Sequence, residues 1–217
     1  EVVSCDSYTR SRCSINCEIT SLAANSEINY SFIIPGHALN ELSKIMSDGE
    51  EDNVRFYIAR KHAIINKGDS IFFTRTIDSE YIDYNRIIPK DNDITVVVDR
   101  DRFLDGLERA NIVADEKIKG STRSYVKLTT DDQFIAITSA SVNGRVSDEM
   151  ECVHEGRDIE IGFNCRYLIN SVKVAEGENI KITLKSPTQA ITIEPAEEND
   201  EFKYFYMILP VRMNEQK

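Results

Sequence analysis

Nowhere does this 217-residue chain keep an apolar run of the roughly 18 residues that a membrane helix needs. Its opening, EVVSCDSYTR, lacks the basic-then-apolar layout of a secretory signal. These two absences make a cytoplasmic protein the expectation. An initiator methionine is also absent, and the chain opens directly in a β-like run, which points to a fragment or a processed chain. Cys5, Cys13, Cys17, Cys152 and Cys165 are odd in number and scattered, and no Cys-x-x-Cys pair occurs. A disulfide framework or a structural zinc site therefore has little support, and reduced thiols are expected.

Catalytic signatures are equally scarce. There is no Gly-rich phosphate loop, no Gly-x-Ser-x-Gly elbow and no His-Glu-x-x-His helix. His37, His62 and His154 stand far apart, and His154, close to Cys152, reads as a surface residue. Asp99 with Asp101, and the acidic run at 197–200, lack the apolar or Gly-rich framing that shifts a carboxylate pKa or shapes a cation site. No catalytic residue, metal or cofactor is expected.

What is present is a substantial apolar content, 41%, and a formal charge of −11. That balance argues against a protein that simply coats nucleic acid, since phosphate binding relies on Lys and Arg. The distribution of charge is more informative. FIIPGHALNELSKIM, VVVDRDRFLDGLERANIV and EIGFNCRYLINSVKVA each open as a strand and continue with a helical period. Leu39, Leu42, Ile45 and Met46 recur at three- and four-residue steps after Pro35; Phe103, Leu104, Leu107 and Ala110 do so in the second, and Tyr167, Leu168, Val172 and Ala175 in the third. With Leu39, Leu104 and Leu168 matched, the same two positions hold His37 and Lys44, Arg102 and Arg109, and Arg166 and Lys173. Each pair is seven residues apart, two helical turns, so each forms one stripe. An acidic chain has placed a basic stripe on all three helices.

Between the helices run short alternating segments, NVRFYIARKHAIINKGDSIFFTRTID, SYVKLTTDDQFIAITSA, GRVSDEMECV, NIKITLKSPTQAITIEP and the terminal YFYMILPV, separated by turn residues as hairpins are. The fold class is α+β, a repeated helix packed on antiparallel strands. A boundary is expected near IIPKDNDITV, dividing residues 1–90, which hold one unit and a strand or two, from residues 91–217, which hold two units.

DSEYIDYNRIIP, RFLDGLERANIVADEKIKG, EIGFNCRYLI and YFYMILPVRM together resemble the β subunit of bacterial DNA polymerase III, the sliding clamp family, with the match running from VVSCDSYTR to Met213. The resemblance implies the DNA clamp fold, with helices on one face of curved sheets. It makes residues 1–90 the later part of the second of three domains and 91–217 the third. It further implies a non-catalytic subunit of a DNA polymerase complex that encircles duplex DNA in the nucleoid as a head-to-tail homodimer. Lys44, Arg102, Arg109, Arg166 and Lys173 would face phosphates, and Ile112 and Val113 would lie at the subunit interface. By itself the chain is expected not to close a ring.

In the family, the C-terminal strand walls a pocket where the replicative polymerase, the clamp loader and repair proteins insert a short apolar peptide. The matching positions are Cys5, Ser7, Tyr8, Thr9 and Arg10; Ile82, Arg86 and Ile87; Asn164, Tyr167 and Ala190; and Met207, Leu209, Pro210, Val211 and Arg212. Ile87, Met207, Leu209 and Val211 would supply apolar area, with Arg86 donating to peptide carbonyls. The first turn departs from the Asp-Gly-His/Tyr-Arg-Leu that many members carry: here Ser7 replaces glycine and Thr9-Arg10 stands for Arg-Leu, while Ile82 stands where proline is common. The rival reading is a protein-interaction module that does not bind DNA, its basic stripes merely solvated and its tail part of the core.

Overall fold

The computed structural model describes residues 1–17, 19–20, 30–46, 54–59, 61–114, 125–141, 144–197, 199 and 201–213. Residues 115–120 of the second resemblance segment, and two positions of the acidic run at 197–200, lie outside these. The chain forms two compact units: residues 18–86, and residues 1–17 joined to 87–217.

The larger unit begins with a hairpin, β1 (Val2–Cys5) and β2 (Thr9–Ile15), and resumes with β6 (Ile94–Asp99) after the smaller unit, which supplies α1 (Gly36–Ile45), β3 (Val54–Ala59), β4 (His62–Lys67) and β5 (Ser70–Arg75). Then follow α2 (Arg100–Ala114), β7 (Val126–Asp131), β8 (Phe134–Ala140), β9 (Arg145–Glu155), β10 (Glu160–Phe163), α3 (Cys165–Lys173), β11 (Asn179–Leu184), β12 (Ile191–Pro195) and β13 (Phe202–Ile208). Local signals account for several element ends. Asp99 precedes α2 and its carboxylate accepts the Arg102 N–H at 2.8 Å; Asn164 caps α3 by accepting the Arg166 N–H at 3.1 Å.

Ten strands pair in the order β1-β2-β13-β12-β11-β6-β9-β8-β7-β10. The strict alternation of β6, β7 and β11 sends Ile94, Val96, Val98, Val126, Leu128, Ile180 and Ile182 into one core. Phe103, Leu107 and Ala110 of α2, and Leu168 and Val172 of α3, pack into it with no exposed area. Burying each such side chain fully contributes about 1.5–3 kcal/mol for the larger ones. Gly106 lets α2 approach the sheet, since a Cβ there would stand 2.9 Å from Ile137 Cδ1 and 3.1 Å from Met150 Cε.

Beyond β13 the chain runs on to β10, where the Val211 N–H donates to the Gly162 carbonyl at 2.8 Å. The tail leaving one part of the strand order thus meets the edge strand at its far end. Gly162 is what admits it: a Cβ would fall 2.7 Å from Met213 Cγ and 3.3 Å from Val211 Cγ2.

The hairpin of residues 2–15 joins the larger unit because β2 pairs along the whole of β13, from Phe202 with Ile15 to Ile208 with Thr9. Pattern reading groups these residues with 1–90; long-range strand pairing leaves no mark in local sequence. In the smaller unit, β3, β4 and β5 form a three-stranded antiparallel sheet. There α1 buries Ala38 but leaves Leu39 and Ile45 exposed, so its expected apolar face is only partly covered.

Candidate functional site

The first turn is built by Asp6, whose carboxylate accepts the N–H groups of Tyr8 at 2.7 Å and Thr9 at 2.6 Å. That side-chain hydrogen bonding holds the bend at Ser7 without a glycine. Across the turn Cys5 pairs with Arg10, and the Arg10 Nη2 donates to Cys5 Sγ at 3.5 Å. Arg10 is buried, so a guanidinium occupies the position that the resemblance pairs with leucine.

Three of the expected groups converge here. The Leu209 N–H donates to the Tyr8 carbonyl at 2.9 Å, fixing the tail against the turn. The Tyr8 ring stacks on Tyr167 of α3, with centroids 5.9 Å apart and 21° between the planes. Arg10 and Thr9 stand opposite Met207 and Ile208 in the β2–β13 register. Leu209 is 39% exposed and Val211 half-buried, whereas Met207 is 4% exposed and offers little area. The expected alternation breaks at this point, since Met207 and Ile208 are both buried. Pro210 is half-buried and Arg212 exposed.

Other expected members stand differently. Asn164 spends its side chain as the α3 cap, and Ala190 is buried. Ile87 is exposed. In the smaller unit, Ile82 is exposed, and Arg86, in the short 3-10 turn Tyr84–Arg86, pairs with Asp83 at 2.8 Å. Burial raises the Tyr204 and Tyr206 hydroxyls above the ordinary tyrosine pKa, and the Tyr204 hydroxyl donates to the Ser171 carbonyl at 3.2 Å, locking β13 to α3.

The basic stripes are exposed but not all unopposed. Arg109 Nε lies 2.8 Å from Asp148, which raises its pKa, and Lys173 Nζ lies 2.8 Å from Glu108, bridging α3 and α2. Lys44 pairs with Glu41 at 2.7 Å. A cleft of about 370 Å³ beside α2 sets Arg102 and Arg109 against Asp105, Asp148, Glu149 and Glu151. Arg166 is exposed on α3. Ile112, near the end of α2, is 74% exposed, and Val113 is half-buried.

Sequence reasoning passed over Glu108, Asp148 and Gly162. A glycine inside a strand does signal close backbone approach, so Gly162 had a cue; the two carboxylates act through tertiary neighbours and had none. His154 is a correction: its side chain is only 1% exposed, because β9 pairs with β6 and sets it opposite Val96. Asp131, Asp132 and Asp158, all exposed, bring carboxylate oxygens within 4.8 Å of one another.

Two family models cover nearly the whole chain: the central domain of the DNA polymerase III β subunit over residues 1–83, and its C-terminal domain over residues 85–212. The beta sliding clamp of Staphylococcus aureus is 28% identical over 186 residues, 85% of this chain and 47% of that protein. Among solved structures, the DNA polymerase sliding clamp of Bacillus subtilis superposes with a TM-score of 0.85 at 26% identity, covering 98% of this chain and 53% of that one. The β subunit of Thermotoga maritima gives 0.79 at 25% identity, covering 98% and 54%. The chain thus spans about half the length of these relatives, and it belongs to the DNA polymerase III β subunit family.

Proposed function

We propose that this chain supplies the later part of the second domain and the whole third domain of a DNA sliding clamp, with residues 1–90 and 91–217 as the two pieces. The clamp encircles duplex DNA without reading its sequence and tethers the replicative polymerase, clamp loader and repair proteins. It works as a tether rather than a catalyst, closes as a head-to-tail homodimer through Ile112 and Val113, and acts in the cytoplasm at the nucleoid. No helix of the described residues is long and apolar enough to cross a membrane. The Staphylococcus aureus relative bears the name of a beta sliding clamp, and the family models favour the same role.

The observation that carries the peptide-docking part is the bond from the Leu209 N–H to the Tyr8 carbonyl, which joins tail and first turn beside the Tyr167 ring. Exposed Leu209 and half-buried Val211 supply apolar area there, and backbone groups can orient a partner strand. Phosphate contact falls to Lys44, Arg102, Arg109, Arg166 and Lys173, with affinity falling steeply as salt rises.

Fluorescence anisotropy of a labelled Gln-Leu-x-Leu-Phe peptide against the parent and Leu209→Asp tests the docking. Saturable binding by the parent alone supports it; equal binding by both, or none by a folded parent, removes it. Duplex association lost on reversing Arg102, Arg109 and Lys173 together separates the clamp from an interaction module that ignores DNA.

A further inference from the structure

The three-stranded sheet of the smaller unit has two unlike faces. Residues opposite one another across the strands share a face, so Ala63, Ile65 and Thr74, all buried, mark the side that carries the unit's core. The other side holds the row Tyr57, Ile64 and Phe73, flanked by the rows Arg55, Asn66, Ile71 and Ala59, His62, Arg75. No residue of this second face reaches the buried class, and Phe73 is 59% exposed, Ile71 72% and Tyr57 39%. A solvated sheet face is ordinarily polar, so aromatic and aliphatic side chains at the centre of this one call for an occupant.

Charge selects its chemistry. Residues 54–75 contain five Lys and Arg and one Asp in a chain whose net charge is −11. Arg55 and Arg75 are exposed at opposite ends of the face, and neither makes an ion pair with another described residue. His62 stacks on Phe73 with centroids 4.8 Å apart and 23° between planes, which holds the Phe73 ring in place. Tyr57 and Phe73 flank Ile64 on the two outer strands, two strand spacings or roughly 10 Å apart.

We propose that this face is a platform for single-stranded nucleic acid, bases stacking on Phe73 and Tyr57 while phosphates meet Arg55 and Arg75. Unpaired bases present the π-faces that such rings engage, whereas a duplex hides them inside its stack and offers phosphates alone. Stacking on rings of this kind is tolerant of sequence. The platform shares no residue with the basic stripes of α2 and α3, so its failure leaves the clamp reading intact.

The test titrates fluorescein-labelled dT20 and a 20-base-pair duplex into the full chain and its variants. Phe73→Ala and Tyr57→Ala are each expected to weaken dT20 binding about tenfold, with duplex binding unchanged; both positions are exposed, and circular dichroism checks the fold. Arg55→Glu with Arg75→Glu should lower the salt slope for dT20 by about 1.4, two phosphates at the single-strand value. The chain contains no tryptophan, so Phe73→Trp is a unique reporter whose emission should be quenched by dT20 at the affinity of the parent. The proposal is overturned if dT20 binding is indifferent to Phe73 and Tyr57, if Phe73→Trp emission ignores dT20, or if sedimentation shows this face closed by a second copy.

Discussion

The rings of Tyr8 and Tyr167 stack with centroids 5.9 Å apart, although one lies on the first turn and the other on α3, far along the chain. Together with the bond from Leu209 to the Tyr8 carbonyl, the stack makes the turn, the helix and the tail one structural element. A double-mutant cycle of Tyr8→Ala and Tyr167→Ala should return a coupling of about 0.5–1.5 kcal/mol, read from urea unfolding. Either variant should also weaken docking of the apolar peptide; a coupling of zero would show that the rings merely lie side by side.

Gly162 controls the docking of the tail. Valine there would drive Met213 and Val211 away from β10. We expect Gly162→Val to cost about 1–3 kcal/mol from overpacking and to expose the Val211 amide to hydrogen exchange. Gly162→Ala should be milder, because its closest contact is a flexible methionine side chain.

Asp148 and Glu108 hold Arg109 and Lys173 in ion pairs, so under the proposed DNA contact they would compete with phosphates for these two cations. Asp148→Asn and Glu108→Gln should therefore raise duplex affinity at low salt and steepen the salt slope by about 0.9 for each cation released. Stability should fall by less than about 1 kcal/mol in either case, since these pairs are partly solvated. Unchanged slopes would place Arg109 and Lys173 outside the DNA contact.

Tyr204 has its ionisation pushed above the usual tyrosine value by burial. For an acid whose folded-state pKa is raised, the contribution to stability is complete below the unfolded pKa, about 10, and is lost as pH rises beyond it. Urea midpoints measured between about pH 9 and pH 11 should fall more for the parent than for Tyr204→Phe, which cannot ionise. At neutral pH that variant should be about 1 kcal/mol weaker for want of the hydrogen bond to Ser171.

Much of the fold was legible in the sequence because its signals are local. Apolar steps of three and four residues marked α2 and α3 through Phe103, Leu107, Leu168 and Val172, an apolar opening run marked β6, and period-two alternation marked β11. Pro35 announced the start of α1. Four motifs carried the family, and the models of its central and C-terminal domains confirm it. The candidate site was legible only as an inventory: the sequence named Tyr8, Tyr167 and Leu209 but not which of their atoms meet.

What the sequence determined by itself was therefore the set of elements, their amphipathic faces and the family, since each follows from the chemistry of neighbours in the chain. Tertiary structure alone decided that residues 1–17 join the larger unit, that Met207 is buried while Leu209 is exposed, and that Asp148 and Glu108 hold two of the basic groups. Each of these depends on partners tens to nearly two hundred residues away, as when β2 pairs with β13. Strand pairing, burial and ion pairing are set by distance in space, on which local periodicity places no constraint.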